Sequence, residues 1–406
     1  VVFSVFFFFF FFSMTPPFQQ SLRLPMATNR QGVVVSTLRW NLKKHGARGK
    51  AFLLEVDVSL SDPYDCSIPM QPEPPEIATD QKISKQPQAF CLPCASVVPV
   101  KIGSWVARVT EGSSVNVDLL CLCVHGNGTH SECIGHITRD RITIQQIGWR
   151  PDFLPALLIS IRPLRFRDCC KEEEETYSSK SNGDDWVLSR AAIKRAIHAC
   201  TSGLRWWSKD HDCVQALLVR TIPPLDNEDK TVLPKDETAR RSHCWSNTNP
   251  PYFTKEAAEF IASMSSLRTL AVDLPSVDRE DDGGALIAHR AIFSHLPDGE
   301  ISKDKKEQES IGEKEEEDDD EGKTKAELVT RKLSSSSSLE KDDLSLKNMG
   351  CQQRRLITES CSFPSPETME DGFCCLSLQL APIENTDAVP SRPLLYRAVE
   401  TRATAV

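Results

Sequence analysis

Three histidines and a glutamate fall within twelve residues of this chain: His125, His130 and His136, with Glu132 among them, in the run His-Gly-Asn-Gly-Thr-His-Ser-Glu-Cys-Ile-Gly-His. The 406-residue sequence has only nine histidines, so a third of them share this segment. Imidazole nitrogen and carboxylate oxygen together are the donors that zinc takes, at ~2.0–2.2 Å. Gly126 and Gly128 allow backbone angles that turn several side chains toward one point, and Asn127 tolerates such angles too. A metal held by this set would lower the pKa of water toward ~7. A nearby imidazole could take up a proton and return it to a leaving amine. The pattern points to the metal-binding and catalytic centre of a hydrolase. The competing reading is a polar loop whose histidines only form hydrogen bonds.

Such a centre needs rigid elements beneath it. Val115, Val117, Leu119, Cys121 and Cys123 recur with a period of two, which predicts a strand with one buried face that delivers His125 into the Gly-rich segment. Further strands are predicted over 52–58, 97–101, 104–110, 157–161, 216–221, 270–274, 374–380 and 392–398, with loops over 69–87 and 171–185. Ser189 can cap a helix running to about Cys200, with Ala192, Ile193, Ala196 and Ile197 as its apolar stripe. Thr254 can cap a second helix to about Met264, with Ala257, Phe260 and Ile261 facing inward. Short apolar strands alternating with helices predict an α/β fold with both sheet faces partly covered.

Composition narrows the partners. The formal charge is −9, but the stretch from Asp298 to Gly350 supplies −7 of it through 17 acidic and 10 basic residues, leaving the remainder near neutral. No basic face of the kind that neutralises nucleic-acid phosphates is expected. Residues 298–350, with acid almost unbroken from Glu313 to Glu321 and serine from Ser334 to Ser338, are expected to be a disordered insertion. Fifteen cysteines, including Cys121, Cys123, Cys200, Cys374 and Cys375 in apolar runs, read as small buried hydrophobes of a reducing compartment. Cys91 and Cys94 form a C-x-x-C with no second pair for a structural zinc. Residues 1–50 read as a disordered leader: seven consecutive phenylalanines end at Phe12 within a 1–13 stretch taken as an upstream artefact, and 14–50 are weakly transit-peptide-like. No apolar run reaches the ~20 residues a membrane span requires, so a soluble, cytoplasmic protein without a membrane partner is expected.

A family resemblance gathers these features. Gly128-Thr129-His130-x-Glu132-x-x-x-His136 resembles the H-x-G-T-H-x-D-x-P-x-H signature of the cyclase family, which includes bacterial-type kynurenine formamidases. The likeness continues in order through Val219-Arg220-Thr221, Asn249-Pro250-Pro251-Tyr252-Phe253, Val272-Asp273-Leu274-Pro275-Ser276-Val277-Asp278, Ala288-His289-Arg290, Thr358-Glu359 and Pro390-Ser391-Arg392-Pro393. It implies one swivelling β/β/α-type domain with a mixed sheet and flanking helices, carried on residues 51–297 and 351–400. It also implies one or two divalent ions, commonly zinc, and a homodimer. His125, His130, Glu132, His289 and Glu359 would be the metal ligands, and His136 the general acid/base. The reaction implied is hydrolysis of N-formyl-L-kynurenine to L-kynurenine and formate, in tryptophan catabolism. Alternatives are another cyclic amide or lactone as substrate, or a non-catalytic scaffold that keeps the fold.

The sequence departs from the signature in two ways. Its first histidine, His125, stands five residues before His130 rather than four, so either Asn127 bulges the loop or His125 is not a ligand. Glu132 replaces Asp, offering the same oxygens on a longer stem, and Cys133 and Gly135 replace Ala-Pro-type residues. Asp273 and Asp278 could equally well cap turns. Trp105, Trp149, Trp206 and Trp207 are expected to pack in the core rather than line a pocket.

Overall fold

The computed structural model describes residues 27–28, 34–43, 51–59, 63–78, 85–150, 152–169, 175–177, 180–202, 214–224, 233–234, 236–294 and 349–405. Most of the expected leader and nearly all of the expected insertion lie outside these, as do His45, His211, His295, Trp206 and Trp207.

The principal strands are β1 (Val34–Lys43), β2 (Ala51–Ser59), β3 (His130–Glu132), β4 (Phe153–Ile161), β5 (Ala216–Thr221), β6 (Thr269–Val272), β7 (Leu356–Glu359), β8 (Gly372–Leu380) and β9 (Ala388–Ala405). β4, β5, β6 and β7 run parallel to one another in that order. β7 then pairs antiparallel with β3, β3 with the start of β9, β9 with β8, and β8 with β4. The seven strands β3 to β9 therefore close into a mixed barrel.

Alternating side chains give the ring two environments. Leu154, Leu158, Leu218, Ala271, Leu356 and Leu376 form one buried cluster that fills the barrel. Leu157, Val219, Val272 and Ile357 point the other way and join residues of three helices: α1 (Arg190–Thr201), α2 (Lys255–Ala262) and α3 (Ile287–Phe293). The continuous apolar strands were expected to have both faces partly covered. One face is covered by helices; the other is buried by the closure of the sheet on itself, which satisfies the same demand for apolar contact. Ser189 and Thr254 cap α1 and α2 through bonds from Ala192 N and Ala257 N, as expected, although α2 ends at Ala262 rather than near Met264.

Two expectations change. β1 lies inside the stretch read as leader and pairs antiparallel with β2 along its length, with Leu38 buried. The 115–123 segment has no buried face: only Asp118–Cys121 is a strand, and Val115, Val117, Leu119 and Leu120 are all exposed. It belongs to an excursion in which Ser96–Pro99 pairs with Asp118–Cys121 and Lys101–Ile102 with Trp105–Val106. Alternation reports local pattern, and here nothing else in the described chain packs against it. Trp105 is exposed on the same excursion instead of lying in the core, and Cys121 is exposed as well. The thirteen described cysteines form no disulfide with one another. Among the described residues no helix is long and apolar enough to cross a membrane.

The helices are tied to the barrel by one buried cation. Arg355, fully buried just before β7, donates to Leu267 O (3.0 Å), Ala262 O (2.9 Å), Met264 O (2.6 Å) and Ile292 O (3.3 Å). Ala262 O and Ile292 O belong to the last turns of α2 and α3, and Met264 O and Leu267 O follow α2, where helix dipoles favour positive charge. Burial lowers the guanidinium pKa to about 10, so it remains charged at neutral pH. Arg355→Leu leaves these carbonyls unpaired in a dry setting, and urea unfolding should show a loss on the order of 3 kcal/mol. A loss below about 0.5 kcal/mol would refute this role for the guanidinium.

Candidate metal centre

β3 pairs with β7 so that His130 stands opposite Glu359, and Glu132 opposite Ile357. Residues two apart leave the same face of a strand, so His130, Glu132 and Glu359 all project from the outer wall. Ser131 and Thr358 turn into the barrel, where their hydroxyls meet at 2.7 Å. α3 lies over the outer wall and brings His289, whose Nε2 is 2.5 Å from Glu132 Oε1 and 3.7 Å from Glu359 Oε1.

The far side of each inner imidazole is held. His289 Nδ1 meets Asp278 Oδ2 at 2.5 Å, while Asp278 also accepts from Ala288 N (2.6 Å) and Tyr177 Oη (2.6 Å). Asp278, which the sequence left open between turn cap and functional group, thus caps the first turn of α3 and aims its histidine. His130 Nδ1 faces Gly128 O at 3.1 Å. A carbonyl only accepts, so Nδ1 is the donor and the neutral ring keeps its lone pair on Nε2. That Nε2 lies 3.5 Å from Glu359 Oε2, and Glu359 Oε1 accepts from Val277 N at 3.0 Å.

The loop before β3 is fixed by its own polar groups. Asn127, fully buried, accepts from Cys123 N (2.7 Å) and donates to Pro93 O (3.0 Å), while the amides of Gly126 and Asn127 both bond Cys123 O at 3.1 Å. Thr129 N donates to Ile68 O and its Oγ1 accepts from Ile68 N. This turn takes up the extra residue and still brings His125 in: its Nε2 is 3.4 Å from Glu132 Oε2 and 3.4 Å from Asp387 Oδ2. His125 is delivered by the turn, not by the end of a buried strand.

His136 ends a 3-10 turn over Ile134–His136, with Nδ1 3.5 Å from Asp387 Oδ2 and 3.8 Å from Glu132 Oε2. Its side chain is 30 % exposed, whereas His130 and His289 are shut in. Gly135 is required here by close approach: a Cβ would stand 1.7 Å from Ile142 O.

The structure therefore gathers all six residues that the sequence singled out, and adds Asp387, which the sequence analysis missed. Asp387 precedes β9 and reaches the centre because β9 pairs with β3, with Cys133 N donating to Asp387 O at 3.0 Å. Arg141 Nε holds its other oxygen at 3.2 Å. Only its place just ahead of the Pro-Ser-Arg-Pro strand could have signalled it. Other landmarks serve the scaffold. Asp273 takes bonds from Thr221 N and Oγ1 and pairs with Arg240 at 3.2 Å, while Arg220 pairs with Asp371 at 2.7 Å. Tyr252 and Phe253 are fully buried, and Asn249 is bound to Asp185 at 2.8 Å.

The electrostatics are those of a concentrated ion cluster. Burial works to raise the Glu132 carboxyl, but the charges of His136 and His289, the nearby His125 imidazole and the bond from His289 outweigh it and hold it well below the usual range. Burial likewise opposes charge on His289, yet Glu132 and Asp278 push it well above its ordinary value. His125 is raised to about 10 against its own desolvation, by Asp387 and Glu132. Asp387 is held low, first by His125 and then by His136.

Three buried polar atoms in this cluster nevertheless make no hydrogen bond: His125 Nε2, His130 Nε2 and Glu132 Oε2. Buried polar atoms are ordinarily paired, so three unmatched ones, each within reach of the Glu132 carboxylate or of Glu359, mark gaps that a cation fits. His130, Glu132 and Glu359, all buried, offer ligand atoms within 4.8 Å of one another, and His125, Glu132 and His136 form a second, shallower set. Both sets are of the N/O type that divalent ions take.

Residues 58–279, more than half of the chain, match the family model "Putative cyclase", and the chain belongs to the cyclase family. The match contains His125, His130, Glu132 and His136; His289, Glu359 and Asp387 follow it in sequence. No curated protein matches the chain. Similar solved structures include a potential metal-dependent hydrolase with cyclase activity, at 13% identity, covering 82% of this chain and 97% of that one with a TM-score of 0.40. Isatin hydrolase A from Ralstonia solanacearum is 13% identical, covering 82% and 91%, with a TM-score of 0.40. Isatin hydrolase A from Labrenzia aggregata is 11% identical, covering 83% and 94%, with a TM-score of 0.40.

Two outcomes follow from this geometry. With His125 raised to about 10 and His289 well above its ordinary value, both are protonated at pH 7 in the metal-free protein. Ligation requires neutral imidazole, so binding a divalent ion at pH 7 should release protons, and affinity should rise with pH. Calorimetry in buffers of different ionisation enthalpy measures this; a binding heat independent of buffer would contradict it. Gly135→Ala should displace the Ile142 backbone and lower stability by on the order of 1–3 kcal/mol. Chemical denaturation unchanged from wild type would contradict that contact.

Proposed function

We propose that this member of the cyclase family is a metal-dependent hydrolase of an amide-type carbonyl, with N-formyl-L-kynurenine as substrate and L-kynurenine and formate as products. The observation that carries the reading is the pair of unmatched, buried atoms on the outer barrel wall, His130 Nε2 and Glu132 Oε2, beside the Glu359 carboxylate. One or two divalent ions of the zinc type, held by His130, Glu132, His289 and Glu359 with His125 beside them, would polarise the carbonyl and make water nucleophilic at neutral pH.

The chain's own residues do the rest. Hydrolysis adds hydroxide to the formyl carbon, breaks the C–N bond and places a proton on the departing nitrogen. His136, at the mouth of the cluster and 30 % exposed, is placed to carry that proton. Asp278 and the Gly128 carbonyl fix His289 and His130 from their outer sides, so neither ring must reorient during turnover. A homodimer taking a small-molecule substrate, without nucleic-acid or membrane partners, completes the proposal.

The test combines metal analysis with hydrolysis of N-formyl-L-kynurenine. Wild type should carry stoichiometric metal and lose activity to a chelator. Glu132→Gln should lose both metal and activity. His136→Ala should keep the tightly bound metal and lose roughly 10²–10⁴-fold in kcat. Activity indifferent to the chelator overturns the mechanism. Hydrolysis of a cyclic amide or lactone instead overturns the substrate. Absence of both metal and any hydrolysis favours a scaffold that keeps the fold.

A further inference from the structure

We propose that Asp387, His125, His136 and Glu132 form an outer, weaker divalent-cation position beside the buried one, and that a cation there withdraws His136 from proton transfer. The second half rests on the hydrolytic reading above; the first does not.

Spacing is the first argument. His125 Nε2 lies 3.4 Å from both Glu132 Oε2 and Asp387 Oδ2, and His136 Nδ1 lies 3.5 Å from Asp387 Oδ2 and 3.8 Å from Glu132 Oε2. Charge-assisted hydrogen bonds between such groups measure ~2.7–2.9 Å. All four separations are longer than that. They approach the ~3.3–3.4 Å that separates neighbouring donors arranged tetrahedrally at ~2.0–2.1 Å from an ion.

The choice of nitrogen is the second. A carboxylate that orients a metal-bound histidine sits on the ring nitrogen turned away from the metal. Asp278 does this for His289: it takes Nδ1, while Nε2 faces Glu132. Asp387 does the opposite. It meets the same nitrogens of His125 and His136 that face Glu132. It therefore stands among the inward-facing donors, not behind them. Arg141 occupies its Oδ1 and leaves Oδ2 as the oxygen turned inward.

The third is an atom without a partner. Glu132 Oε2 belongs to a side chain 1 % exposed and makes no hydrogen bond. The rings of His125 and His136 stack at 4.6 Å, so their donor edges lie side by side around it. The position should bind more weakly than the buried one, because its imidazoles are 28 % and 30 % exposed and can exchange with water. Once Nδ1 of His136 is given to a cation, Nε2 is a fixed N–H donor and cannot accept a proton.

The experiment is equilibrium dialysis of Zn²⁺ against the full-length, chelator-stripped protein, with bound metal measured directly. Wild type should show two classes of site per chain. Asp387→Ala and Asp387→Asn should weaken the looser class at least tenfold and keep the tighter one. Glu132→Gln should lose both. The isosteric Asn variant, checked by its melting curve, guards against loss of fold. Raising Zn²⁺ beyond the stoichiometric amount should slow wild-type turnover, and this inhibition should be absent from the activity that remains in Asp387→Asn. A single tight class in wild type, or two intact classes in both Asp387 variants, overturns the outer position. Failure of the hydrolytic reading looks different: the two classes of zinc site persist while no substrate is hydrolysed.

Discussion

Glu132 is a carboxylate buried in the wall of a barrel, and the architecture around it is organised by the need to compensate that charge. Removing an ion from water costs several kcal/mol even after relaxation. Oε1 is matched by His289 from α3, and Oε2 is turned toward His125 and His136. Each partner must in turn be held. Asp278 holds His289, the Cys123–Asn127 turn holds His125, and the close approach of Gly135 to Ile142 sets the path to His136. A three-residue strand can carry this load because β7 and β9 grip it from both sides. Protons on the imidazoles and a bound cation are two ways of balancing the same negative charge, so the cluster is fitted to exchange one for the other.

The centre lies on the outside of the ring. The barrel interior is packed by a buried apolar cluster, with the Ser131 and Thr358 hydroxyls paired to each other. The outer wall is lined where helices cover it, and α3 covers the place where β3 and β7 expose their polar residues. Arg355 fixes this cover by bonding carbonyls at the C-terminal ends of both α2 and α3 from a position just ahead of β7. The residue that anchors the helices thus lies four positions before Glu359 on the same stretch of chain.

Much of this was legible in the sequence, for reasons that differ by element. The two helix caps were readable because a side-chain oxygen bonding its own chain three residues on is local chemistry. The histidine cluster was readable because four donor residues within twelve are a strong compositional signal. His289 and Glu359 entered only through family register, since nothing local distinguishes them. Asp387 escaped because its role depends on β9 returning to β3, a pairing across some 250 residues that no local pattern encodes. The 115–123 segment misled for the converse reason: its alternation is genuine, but a buried face requires a partner layer, and the described chain supplies none. Closure of the sheet was equally invisible, because a strand buried by helices and a strand buried by a filled ring have the same apolar sequence.

β9 belongs to two structures at once. Its first ten residues complete the barrel against β3 and β8, and after an irregularity near Ala398 the rest pairs with β2. It is also the last of the described strands. The ring therefore cannot shut until β9, some 250 residues beyond β3, has been made, and strand β2 must wait for the same segment. Long-range pairing of this kind makes closure a late and slow event in folding. Every earlier species on that route carries Glu132 with one flank open, and so reaches its binding competence and its final topology in a single step.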